Sequence, residues 1–105
     1  MLLTLAQIKA QCRIDSDITD EDELLMLLAG AAEARAMAFM NRTIYADVVP
    51  DLDLEGILLN DAMRLAMLQI IGHWYEHRSS VTDFEQSEVP MAFKYLLQPY
   101  RILGT

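Results

Sequence analysis

Residues 53–78, DLEGILLNDAMRLAMLQIIGHWYEHR, decide the fold. Their apolar side chains, from Leu58 and Leu59 through Met63, Met67, Ile70 and Ile71 to Trp74 and Tyr75, point in nearly every direction around a helix of 3.6 residues per turn. A helix that is apolar all round has to be covered by others. The stretch therefore predicts a long central helix from about Asp53 to Arg78, with Ile70 and Trp74 in the core. Ala62 to Tyr75 contains Arg64, Gln69 and His73 and is too short to span a bilayer.

The covering helices are read outward from this one. Thr19 followed by Asp22 has the pattern of a capping box in its Asp form, and Asp20, Glu21 and Asp22 suit the positive end of a helix dipole. A second helix is expected from there to about Met40, with Leu24, Leu28, Ala31, Ala32, Arg35 and Phe39 at helical spacing and an Ala-rich middle that allows close packing. Before it, Thr4 caps a short first helix reaching about Cys12, with Leu5, Ile8 and Cys12 as its apolar stripe. After the central helix, residues 79–88 are polar. Pro90 suits the first turn of a last short helix, Met91 to Leu97, which Pro99 stops, and Arg101 to Thr105 read as a tail. Thr43 to Val49 is mostly β-branched or aromatic and precedes Pro50 and the acidic run Asp51 to Glu55, so an extended connection or short strand joins helices two and three. No hairpin partner is evident for it, and a neighbouring subunit is the expected source of an edge. The fold class is all-α, a small bundle of about four helices.

Composition bounds the function. The 105 residues make one domain, 1–105, with 53% hydrophobic side chains, 7 Met and a single cysteine. The apolar surplus points to burial against another copy or a partner. A net charge of −8, from 8 basic and 16 acidic residues, argues against a protein that grips nucleic acid, though not against one that lies close to it. As the single cysteine, Cys12 has no second cysteine for a disulfide in the chain, which fits a reducing compartment, and Met1 to Leu5 lacks the basic start of a signal peptide.

Candidate chemistry is sparse. His73-Trp74-Tyr75-Glu76-His77 matches the H-x-x-E-H pattern of inverted zinc proteases, with two histidines one helical turn apart and Glu76 as base. A third ligand is wanting and the chain is too small for a second lobe, so the histidines read as core-margin or contact residues. Asp15-Ser16-Asp17-Ile18-Thr19-Asp20 begins like a calcium loop, but Asp20 stands at the turn glycine and Met26 at the bidentate Glu. Cys12 lies on an apolar stripe and no Gly-rich phosphate loop is present. No catalytic residue, metal site or cofactor is expected.

Several strings taken together resemble a family. Leu5-Ala6-Gln7-Ile8-Lys9, Cys12-Arg13-Ile14-Asp15 and Asp20-Glu21-Asp22-Glu23-Leu24-Leu25 lead into the Ala-rich helix. Asn41-Arg42 closes that helix, His73-Trp74-Tyr75-Glu76-His77-Arg78 closes the third, and Pro90 precedes Leu96-Leu97-Gln98-Pro99-Tyr100-Arg101. Their order and spacing resemble the small head-tail connector proteins of long-tailed bacteriophages and prophages, over almost the whole chain. His77 replaces an expected Asn, and Met91 an expected small residue.

The resemblance implies a structural adaptor in the virion, made in the bacterial cytoplasm. It would form a homo-oligomeric ring under the portal protein, continue the DNA channel without binding DNA specifically, and meet the next connector or tail-completion protein. The alternative from the residues alone is an intracellular helical interaction module acting as a dimer. A ring repeats one heterologous contact between unlike patches. The candidates are the acidic connection with its lead-in, Val48, Val49 and Asp51, on one side, and Arg35, Arg42, Arg64 and Arg78 on the other. Val48→Asp or Val49→Asp is then expected to block assembly.

Overall fold

A computed structural model describes residues 2–76 and 91–102. The elements run α1 (Leu5–Gln11), α2 (Asp22–Met40), β1 (Ile44–Tyr45), β2 (Ile57–Leu58), α3 (Asp61–Glu76) and α4 (Met91–Leu97), followed by a 3-10 turn at Gln98–Tyr100. Among the described residues the protein is a small helical bundle, as the sequence predicts. No described helix is long and apolar enough to cross a membrane.

Helix α3 is the hub, packed against α1, α2 and α4. Met63, Ala66, Met67, Ile70 and Ile71 are fully buried along it. Trp74 is only half-buried, packed against the edge of the core, so Ile70 rather than the indole is the central anchor. From α4, Phe93 enters the core and meets Phe39 edge-on, with ring centroids 6.0 Å apart.

The start of α3 differs from the sequence expectation by eight residues, Asp61 rather than Asp53. Asn60 supplies the reason. Its Oδ1 accepts from the Met63 amide at 2.9 Å, an N-terminal cap that fixes where the helix begins. The preceding Ile57–Leu58 is extended and pairs in parallel with Ile44–Tyr45, in the register Ile44 with Ile57 and Tyr45 with Leu58. The partner of the first strand thus lies in the same chain, not in a neighbour. A parallel pair rules out a tight hairpin and needs a crossover of roughly a dozen residues, which the segment 46–56 provides.

Two further features correct the sequence reading. The buried face of α2 is Leu25, Leu28, Ala29, Ala32, Ala36 and Met40, whereas Ala31 and Arg35 face outward. With alanines on several sides of the helix, the apolar pattern does not select one stripe. The second helix also has Glu21 as its N-cap with no side-chain bond, and the Thr19 carbonyl, not its hydroxyl, accepts from the Asp22 amide at 3.2 Å.

The corner before α2 is organised instead by Lys9, a buried lysine. Its Nζ donates to the Ile18 carbonyl at 2.7 Å and the Ser16 carbonyl at 3.3 Å, and lies 3.0 Å from Asp22 Oδ1. Helix α1 begins as expected: Thr4 Oγ1 accepts from the Gln7 amide and Gln7 Oε1 from the Thr4 amide, a capping box. It ends with Arg13 at a φ of 60°, which lets the Ile14 amide reach back to the Lys9 carbonyl at 2.9 Å.

At the other end, residues 101–102 are tied down. The Ile102 amide donates to the Met40 carbonyl at 2.9 Å, and Asn41 Nδ2 donates to the Ile102 carbonyl at 3.0 Å. Pro99 lies in the 3-10 turn that follows α4. The expectations for Pro90, His77 and residues 79–88 lie outside the described residues.

Candidate assembly surface

The crossover between β1 and β2 is built around two polar contacts. Tyr45 donates its hydroxyl to Asp53 Oδ2 at 2.6 Å, and Asp53 Oδ1 accepts from the Glu55 amide at 3.3 Å. The Asp53 amide itself closes a turn onto the Pro50 carbonyl at 3.0 Å. Beneath this turn, Arg42 donates from Nε to the Glu55 carbonyl at 2.7 Å, from Nη2 to the Gly56 carbonyl at 3.3 Å and from Nη1 to the Tyr100 carbonyl at 3.2 Å. One guanidinium, placed just after the left-handed Asn41 that ends α2, therefore holds the crossover and the C-terminal turn together.

Gly56 allows the loop to close. A Cβ there would lie 2.7 Å from Tyr45 Cε2 and 2.8 Å from Val49 Cγ1, closer than carbon atoms tolerate. Val49 is accordingly half-buried against this point, while Val48 is 73% exposed. Farther along, Leu52 and Leu54 are 97% and 92% exposed, each next to acidic residues. Between these leucines and the C-terminal end of α2 lies an open cleft of about 680 Å³, lined by Met37, Ala38, Asn41 and Arg42 on the helix side.

The residues expected to form an interface separate into groups. Val48 and Asp51 are exposed on the crossover, and Val49 packs largely inward. Arg35 stands exposed on the outer face of α2. Arg42 is engaged by backbone carbonyls of its own chain. Arg64 pairs at 2.6 Å with Asp61 one turn earlier on α3, a surface pair of small net value. Arg78 lies outside the described residues. Sequence reasoning passed over Leu52 and Leu54, although the string Asp51-Leu52-Asp53-Leu54-Glu55 carries a signal: once helix α3 starts at Asp61, no described residue buries these leucines flanked by acids.

Elsewhere, His73 is half-buried beside Gln11, Gln69, Gly72 and Glu76. Among the described residues no three His, Cys, Asp or Glu side chains converge as a metal-holding group. Tyr75 donates to Glu21 Oε1 at 2.6 Å, tying the end of α3 to the start of α2.

The sequence matches the phage gp6-like head-tail connector protein family over residues 2–101. The chain belongs to that family. No curated protein and no solved structure matches it. Its role is structural, in joining phage head to phage tail, and its place is the virion. Membership in this family implies contact with portal and tail proteins of the phage.

Proposed function

We propose that residues 1–105 act as one domain that assembles into a homo-oligomeric ring beneath the portal, extends the DNA channel, and offers its opposite face to the next connector or tail-completion protein. Assembly takes place in the bacterial cytoplasm before the virion is complete. The observation that carries this reading is the crossover: Val48, Leu52 and Leu54 project from a segment braced by Arg42, Tyr45 and Asp53. Braced exposed leucines are costly to leave in water, at roughly 25 cal/mol per Å² of apolar surface, and a repeated contact between subunits removes them from it. With 16 acidic side chains against 8 basic ones, carboxylates left over after subunit pairing face the channel and keep DNA from adhering.

Electron microscopy of the chain mixed with its cognate portal tests the proposal. A cap of added density coaxial with the portal channel is expected. A discrete dimer in solution that leaves the portal bare would overturn the ring and favour a dimeric interaction module.

A further inference from the structure

We infer that the crossover leucines of one subunit dock on the outer face of helix α2 of the next copy, against Leu27, Gly30, Ala34 and Arg35. The inference rests on the ring reading and names its contact. Leu52 and Leu54 are the most exposed of the described large apolar residues, and Leu27 on α2 is 71% exposed with Met26 beside it half-exposed. Among the described residues, two apolar surfaces therefore stand uncovered on one subunit. They are unlike in shape, one a projecting loop and the other a helix face low enough to receive it, as a heterologous contact requires.

Charge favours the same pairing. Between Ala46 and Glu55 the crossover carries Asp47, Asp51, Asp53 and Glu55 and no basic residue, while Arg35 is the only basic residue of α2 and points outward. Glu33, its nearest acidic neighbour on the helix, already accepts from the Leu2 amide at 3.2 Å. Two residues apart on a helix, Glu33 and Arg35 do not face each other, so an acidic loop approaching this face meets the cation directly.

Gly30 supplies a separate argument. It sits in the interior of α2, exposed, where glycine weakens a helix relative to alanine. A Cβ at this position would meet nothing within 4 Å. Nothing among the described residues requires the glycine, whereas a neighbour's leucine lying against the helix backbone does.

The test is a complementation experiment on full chains, read by native mass spectrometry with circular dichroism. The parent is expected to form rings. A Leu52→Asp/Leu54→Asp chain keeps the face and loses the prong, and a Gly30→Leu chain keeps the prong and loses the face. Each alone should stay a folded monomer. Mixed in equal amounts they should give a 1:1 heterodimer and nothing larger, because one intact prong meets one intact face once. Gly30→Ala should raise the thermal midpoint of the subunit while weakening self-association at least about tenfold. Rings that persist in both variants overturn this contact and leave the ring itself standing. A mixture without heterodimer overturns the pairing and assigns the α2 face to a different partner. A parent that does not self-associate, alone or on the portal, overturns the ring and the contact together.

Discussion

Tyr45 and Asp53, eight residues apart, are joined by a 2.6 Å hydrogen bond that spans the crossover from its first strand to its last turn. Accepting that bond, the Asp53 side chain holds the phenolic proton in place, and partial burial and the negative charge of Asp53 add to it. The tyrosine pKa is therefore raised above its ordinary value of 10.0. The folded chain keeps a proton that the unfolded chain releases, so the stabilisation is full below pH 10 and fades as pH rises through the folded value. Thermal midpoints followed from about pH 8 to 11 should fall more steeply in the parent than in Tyr45→Phe. Parallel curves would mean that the bond does not form in solution.

Gly56 is the steric key of the same loop. Gly56→Ala forces Tyr45 or Val49 to move and should cost about 1–3 kcal/mol, as overpacking does elsewhere. Urea denaturation gives the number, and an unchanged midpoint would show that the crossover can shift at no cost.

The two valines should separate. Val48→Asp changes an exposed side chain and is expected to leave the unfolding midpoint within about 0.5 kcal/mol of the parent while weakening assembly. Val49→Asp places a carboxylate against Tyr45 and Gly56 and should destabilise the subunit as well. Denaturation and native mass spectrometry on both variants distinguish them. Equal stability of the two would contradict the inward packing of Val49.

In the core, Ile70→Ala should cost roughly 2–5 kcal/mol, and Trp74→Ala less than roughly 3 kcal/mol, because the indole is only half-covered. Chemical denaturation of both variants is sufficient. The reverse order would place the indole, not Ile70, at the centre of the bundle.

Much of the fold is legible in the residues. Thr4 announces the first helix, Asn41 closes the second, and the largely apolar run from Ala62 to Ile71, interrupted by Arg64 and Gln69, marks α3 as the hub. What escaped is of two physical kinds. The eight residues before α3 are apolar enough to extend its pattern, and only the cap at Asn60 and the crowding at Gly56 stop it. In α2, alanine is compatible with core and with surface alike, so the orientation of the helix is set by what α3 and α1 offer it, not by its own sequence. The candidate interface shows the first of these: Leu52 and Leu54 stand among acids at the junction of the connection and the expected helix, and only the later start of α3 leaves both exposed.

Lys9 gives the corner between α1 and α2 a property that the acidic string Asp15 to Asp20 conceals. Its ammonium, held by two carbonyl oxygens and one carboxylate oxygen, supplies from within the chain a positive charge for this acidic corner. The counter-ion is covalently resident, so the geometry of the corner is indifferent to how much calcium or magnesium surrounds it.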